Sequence, residues 1–226
     1  MGDLQRLIVF DLDGTLVDSR RDLADAANAL IVERGGRPLS EDDIGRMVGE
    51  GAALLVRRAL TAAGLPTDAS SVPRFLELYD ERLLNTTTAY EGIPQALEAL
   101  VPHAAIAVLT NKPLAPSLRI LDALGLSSVI AATVGGDSEF PRKPDPASLR
   151  HLMTSLGATP GTTVMVGDSW VDYETARSAS TGVCLTRYGF GYHGVDPARL
   201  RGDEALVDRP AEIPDAVRRL LSKVAG

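Results

Sequence analysis

Short apolar runs that each stop at a cluster of polar residues recur along this chain, and helical patterns fill most of the intervals between them. The runs are Leu7 to Phe10, Ala104 to Leu109, Val129 to Val134, Thr163 to Val166, Val183 to Thr186 and, more weakly, Ala205 to Val207. Runs of this length bounded by turn residues read as buried strands. The intervening stretches "PQALEALV", "APSLRILDALG", "DPASLRHLMTSLG" and "DYETARSAS" carry the apolar spacing of helices. Strand and helix therefore alternate, and the expected class is α/β, a parallel sheet with helices on both faces.

One interval departs from the alternation. From about Val17 to Ala89 there is no convincing strand, only the helical segments "RRDLADAANALIVERGG", "SEDDIGRMV", "GAALLVRRALTAAG" and "SVPRFLELYDERLL", separated by Gly, Pro and Ser. A crossover between parallel strands needs only about a dozen residues, so the surplus reads as a helical insertion forming its own small domain. The expected organisation is a core built from residues 1–15 and 90–226, with residues 16–89 inserted between them. The chain's 226 residues, 45% of them hydrophobic and 23% charged, suffice for such a plan.

A formal charge of −7 disfavours a nucleic-acid partner, whose phosphates are neutralised by Lys and Arg. The N-terminal "MGDLQRLIVF" offers too few apolar residues for a signal-peptide core or a membrane span, so a cytoplasmic protein without a membrane partner is expected. The single cysteine, Cys184, has no internal partner and lies in the strand-like "GVCLT", where it reads as an inert core thiol. His103, His151 and His193 lack metal-ligand spacing and read as surface residues. A monomer and a homodimer are both compatible with these numbers.

In an open α/β sheet, ligands gather beyond the carboxyl ends of the strands. The first run ends in Asp11 and Asp13 and the second in Thr110, Asn111 and Lys112. The third is followed by "GGDSEFPRKPDP" with Lys143, and the fourth ends in Asp168 and Ser169. If the chain stays extended, side chains two residues apart lie on one side with a rise of about 6.6 Å. Like charges at that range repel by roughly 3 kcal/mol at an effective dielectric near 20. A hard divalent ion, Mg²⁺ above all, would relieve Asp11, Asp13 and Asp168 and still leave positions for a substrate phosphate. A calcium loop counted from Asp11 fails, because Leu16 stands where glycine is needed and Asp22 where the terminal glutamate is needed. Of the 23 Lys and Arg residues only Lys112, Lys143 and Lys223 are lysines, and the first two fall beside these strand ends. Lys143 suits a phosphoryl oxygen or a carboxylate beside a metal. Lys112 is left open, since Pro113 follows it and the segment has room to point outward.

The four stretches "VFDLDGTLVDS", "VLTNK", "RKPDP" and "VGDSWVDYETA", in that order, resemble the four motifs of the haloacid dehalogenase-like hydrolase superfamily, and the resemblance covers essentially the whole chain. It implies a Rossmann-like core with an inserted α-helical cap. "MVGEGAALLVRRAL", "GGDSEFPRKPDP" and "RYGFGYHG" look closest to the phosphoglycolate phosphatase branch. By that resemblance Asp11 is the nucleophile that forms an aspartyl-phosphate, and Asp13 is the acid and base. Mg²⁺ is held by Asp11, the Asp13 carbonyl and Asp168, with Asp172 behind them, while Thr110 and Lys143 hold phosphoryl oxygens. Asp145 stands where many phosphatases of the branch have histidine. Trp170, between Asp168 and Asp172, reads as packing in the core beneath the site rather than stacking on substrate.

Asp13 speaks against the dehalogenase and phosphonatase branches, and the absence of lysine from residues 16–89 speaks against Schiff-base chemistry on the cap. The expected contact between cap and substrate is the loop Val48 to Ala52, with Asn111, Gly49, Glu50 and Gly51 as candidate binding residues. Its glycines permit close approach, and a helix N-terminus follows that would receive an anion. Glu50 opposes an anionic leaving group, and Arg46, Arg57 and Arg58 are candidate carboxylate partners. The expected partner is a small phosphorylated metabolite, 2-phosphoglycolate first. A pyrophosphatase, a β-phosphoglucomutase-like phosphotransferase and a non-catalytic phosphate-binding regulatory module remain as alternatives.

Overall fold

A computed structural model describes residues 5–222. In chain order the elements are β1 (Leu7–Phe10), β2 (Val17–Asp18), α1 (Arg20–Glu33), α2 (Glu41–Gly45), α3 (Ala52–Ala62), α4 (Ser71–Asp80) and β3 (Thr88–Ala89). There follow α5 (Ile93–Leu100), β4 (Ala105–Leu109), α6 (Leu114–Ala123), β5 (Ala132–Val134), α7 (Ala147–Ser155), β6 (Thr163–Gly167), α8 (Trp170–Ala179), β7 (Gly182–Thr186), β8 (Ala205–Val207) and α9 (Ile213–Ser222). Six strands form one parallel sheet in the order β5-β4-β1-β6-β7-β8. The α/β reading therefore holds. The expected division into residues 1–15 with 90–226 starts and ends on residues outside the described range.

Strand β1 lies at the centre, with Phe10 level with Val108 of β4 and Val166 of β6. The crossing from β4 and β5 on one side to β6 on the other makes the carboxyl end of β1 the topological switch point, where such sheets open a crevice. Alternate side chains of β1 enter different layers, as a pleated strand requires. Ile8 and Phe10 join Leu97, Ile120 and Val217 on one face, while Leu7 and Val9 join Leu149, Leu152 and Tyr173 on the other. Burial on both faces explains why these strands read as unbroken apolar runs.

Two sequence expectations need correction. The run from Val129 begins as a 3₁₀ turn, Ser127–Val129, and only Ala132–Val134 is strand. The interval from Val17 to Ala89 is helical inside but not at its ends: Val17 pairs with Ala89 and Asp18 with Thr88 as an antiparallel ribbon. Two-residue strands leave no periodic signal to read. The C-terminal helix α9, with Ile213, Ala216, Val217, Leu220 and Leu221 on its buried stripe, had no sequence assignment. Among the described residues, no helix is long and apolar enough to cross a membrane.

The helical segment is tied at its root by a buried carboxylate. Asp22 on α1 accepts hydrogen bonds from the Thr86 and Thr87 backbone N–H groups at 2.9 to 3.0 Å and from their hydroxyls at 2.6 and 2.7 Å. Burial raises its pKa, and these donors outweigh that, leaving the group below the usual carboxylate value. Helix α1 packs against α2, α3 and α4, so a fixed root orients all four helices. Asp22→Ala leaves those buried donors without an acceptor and should cost about 2–4 kcal/mol of stability, measured by urea unfolding.

Candidate active site

The site is assembled by strands that stop together. Asp11 extends β1 by one residue, its N–H donating to Val166 O at 2.9 Å. The chain then turns, with Leu12 O accepting from the Leu16 and Val17 N–H groups at 2.9 and 3.1 Å. Gly14, at φ +87°, stands where that turn needs the left-handed region, and a Cβ there would overlap the Asp168 carboxylate. Beyond β4 come Thr110, Asn111 and Lys112; beyond β6 come Asp168 and Ser169. Ser169 caps α8 in a reciprocal box with Asp172, whose Oδ2 accepts from the Ser169 N–H at 3.1 Å. That capping fixes Asp172 on the side of α8 that faces β1.

Lys143, from the loop after β5, reaches into this group. Its Nζ lies 2.9 Å from Asp11 Oδ1 and 2.6 Å from Asp172 Oδ1. Carboxylate oxygens of Asp11, Asp168 and Asp172 all lie within 4.8 Å of one another, and all three residues are buried. Burial pushes the Asp11 carboxyl up to about 7; Lys143 opposes this and Asp172 adds to it. Asp168 is raised well above its ordinary value by burial, then by Asp172 and Asp11. Burial lowers the Lys143 pKa, but Asp11 and Asp172 more than offset it, so the ammonium stays charged. One lysine cannot balance three such acids. The donor set is all oxygen, which suits a hard divalent cation.

Asp168 is also clasped from outside the expected motifs. Gly191 N–H donates to its Oδ2 at 2.7 Å, and Tyr188 Oη donates to Thr15 O at 2.8 Å. A Cβ at Gly189 would overlap Asp168 and the Gly14 carbonyl. The glycine spacing of "RYGFGYHG", just after β7, is the sequence signal for this clasp.

Asp13 forms a second centre. Its carboxylate accepts from Ser19 Oγ and from Lys112 Nζ at 2.7 and 2.9 Å. Lys112, left open by the sequence, is 7% exposed and points inward. Burial lowers its pKa and Asp13 more than offsets this. Asp11, Asp13, Thr110, Asn111 and Lys112 line a cavity of about 40 Å³. Its opposite wall comes from the inserted helices: Leu23, Val48, Gly49, Gly51, Ala52, Leu55, Phe75, Leu76 and Tyr79. Asn111 Nδ2 bridges the two sides, donating to Gly49 O at 2.9 Å and to Lys143 O at 3.0 Å.

The structure thus gathers Asp11, Asp13, Thr110, Asn111, Lys143, Asp168, Asp172, Gly49 and Gly51 around one crevice. It does not bring in Glu50, which pairs with Arg58 at 2.6 Å away from the cavity lining. Arg46 pairs with Asp43, Arg57 is exposed, and neither they nor Arg58 line the cavity. Trp170 packs against the core, as expected, but at the edge of the layer containing Leu149 and Tyr173 rather than beneath the acids. It is half-buried beside Tyr173, ring centroids 4.8 Å apart, under the Arg199 guanidinium. Two residues before Asp172, it lies about 200° around α8 and so faces away. Asp145 accepts from Ala147 N–H at 2.8 Å and so caps the start of α7, a role independent of catalysis. Cys184 is fully buried, its thiol pushed up to about 12, and the three histidines are exposed.

The family model for haloacid dehalogenase-like hydrolases matches residues 5–180. A phosphoglycolate phosphatase of Rhodospirillum rubrum is 40% identical over 221 residues, spanning 94% of this chain and 90% of that protein. A plasmid-borne phosphoglycolate phosphatase of Cupriavidus necator is 38% identical, spanning 92% and 90%. The crystal structure of a predicted phosphoglycolate phosphatase from Haemophilus somnus superposes with a TM-score of 0.85 at 31% identity, covering 95% of this chain and 99% of that one.

The acid cluster predicts a signed pH dependence. Because the folded Asp11 carboxyl is raised from 3.8 to about 7, its ionisation penalty is absent below pH 4 and grows as pH rises towards 7. In EDTA, Tm should therefore fall from pH 5 to pH 8, and Mg²⁺ should recover more Tm at pH 8 than at pH 5. Asp168→Asn should raise Tm in EDTA and abolish the Mg²⁺-induced rise, both read by differential scanning fluorimetry.

Proposed function

The chain belongs to the haloacid dehalogenase-like hydrolases, and from that premise we propose that it is a Mg²⁺-dependent phosphatase of a small phosphomonoester, 2-phosphoglycolate first, acting in the cytoplasm. The observation that carries the reading is the buried Asp11 carboxylate, held 2.9 Å from Lys143 and facing the same crevice as Asp13. A nucleophile and an acid on one turn, with a cation beside the nucleophile, are what a two-step phosphoryl transfer needs. Relatives matched over nine-tenths of their length that carry the name phosphoglycolate phosphatase support the choice of substrate.

In this reading Asp11 Oδ attacks phosphorus and the P–O bond to the leaving alcohol breaks, while Asp13, which exchanges its ion pair with Lys112 for a proton as substrate binds, delivers that proton to the departing oxygen. Asp13, now ionised, takes a proton from water, whose oxygen attacks the phosphorus of the aspartyl-phosphate and frees Asp11 and inorganic phosphate. Lys143 and Thr110 hold phosphoryl oxygens, and Lys143 keeps Asp11 from being repelled by an incoming dianion. Asp172 aims Lys143. Mg²⁺, held by Asp11, Asp168 and the Asp13 carbonyl, would supply charge neutralisation for the phosphoryl group. The clasp by Gly14, Gly189 and Gly191 presses Asp168 toward that role.

Residues 16–89 act as the cap, their helices α1 to α4 closing the crevice opposite the core acids and keeping bulk water from the phosphoenzyme.

Asp11→Asn should lower kcat for phosphate release from 2-phosphoglycolate by about 10⁴-fold or more. Asp13→Asn should lower it by about 10²- to 10⁴-fold with the fold intact. Measurable turnover by pure Asp11→Asn, or a product with the phosphate moved rather than freed, would refute the assignment.

A further inference from the structure

The candidate arginines for a leaving-group carboxylate all lie outside the cavity lining: Arg46 pairs with Asp43, Arg58 pairs with Glu50, and Arg57 is exposed. The wall facing the core acids is apolar, formed by Leu23, Val48, Leu55, Phe75 and Leu76, with one side-chain exception. Tyr79 of α4 is 3% exposed, and its buried hydroxyl makes no hydrogen bond within 3.5 Å, its nearest polar neighbour being the Lys112 ammonium. The ring lies parallel to that of Phe75, centroids 6.0 Å apart, which fixes where the hydroxyl sits.

Lys112 stands next to it, with Nζ 4.6 Å from the Tyr79 ring centroid. Lys112 is the only cationic side chain among the residues lining this cavity. An ammonium has three donors. The two oxygens of Asp13 take up hydrogen bonds at 2.7 and 2.9 Å, leaving a further N–H whose nearest acceptor is the Tyr79 hydroxyl, beyond 3.5 Å, so that a carboxylate entering between them can accept from both.

We propose that Tyr79 Oη and Lys112 Nζ form the subsite that reads the carboxylate of a short phosphorylated acid, a specificity device for the activity proposed above and dependent on that reading. The carboxylate accepts from the Tyr79 hydroxyl and from the unspent Lys112 donor, and Lys112 supplies its counter-charge. A neutral ester of the same length leaves the buried hydroxyl unpaired, and a site built to hydrogen-bond a substrate group discriminates strongly against the analogue lacking it. The apolar wall removes the water that would otherwise substitute.

Tyr79→Phe removes the hydroxyl and keeps the ring, so it isolates the claim. The probes are 2-phosphoglycolate and ethyl phosphate, which carries a methyl group in place of the carboxylate. The ratio of kcat/KM for 2-phosphoglycolate to that for ethyl phosphate should fall by about tenfold or more in Tyr79→Phe, chiefly through KM. Lys112→Gln should lower the same ratio. The Tm of unliganded Tyr79→Phe should equal or exceed that of the unmodified protein, because an unpaired buried hydroxyl is lost; a merely structural tyrosine would lower Tm and depress both esters alike. A ratio within twofold of the original in Tyr79→Phe overturns the subsite. An unmodified protein that hydrolyses neither ester overturns the phosphatase reading and the subsite with it, a result distinct from preserved preference.

Discussion

Burying Asp11, Asp168 and Asp172 against the single ammonium of Lys143 is the constraint to which the rest of the chain answers. In water each carboxylate would be solvated separately. In the crevice, burial and proximity both penalise ionisation, and Lys143 relieves only part of the penalty. The arrangement persists because it is over-determined: the sheet ladder carries Asp11, the capping box carries Asp172, and the Gly191 N–H carries Asp168. In the proposed reading a divalent cation and a phosphoryl dianion would relieve that penalty together, tying stability, metal affinity and chemistry to one set of atoms.

The second centre obeys the same rule on a smaller scale. Asp13 and Lys112 neutralise one another under an apolar roof, so the acid is positioned without being left alone in low dielectric. The roof is carried by helices whose shared root is the Asp22 carboxylate and the Thr86–Thr87 backbone. Distance along the chain is large, yet the mechanical path from Asp22 to Tyr79 is short, because α1 packs directly on α4. Asn111 adds a polar strut from Gly49 to the Lys143 carbonyl.

Much of the core site was legible because a parallel sheet turns one-dimensional order into a shared edge. Runs that end in Asp11, Thr110 and Asp168 must end side by side once the strands pair in register. What escaped depended on side-chain direction, for which the sequence holds no period. Lys112 turns inward although Pro113 follows it, because Asp13 gives its ammonium a partner. Glu50 turns outward because Arg58 is within reach. Tyr79, four residues after Phe75, carries the spacing of an ordinary core aromatic, and only the cavity beside it gives its hydroxyl a meaning. The ribbon of β2 and β3 is too short for an alternation to register.

The account turns on whether the acid cluster is a cation site. Anomalous diffraction from crystals grown with Mn²⁺ in place of Mg²⁺ tests this without reference to turnover. One strong peak per chain, bounded by the Asp11 and Asp168 carboxylates, is the result the account predicts. Peaks confined to exposed acids, with Lys143 still closed on Asp11 and Asp172 and no metal beside them, would contradict it.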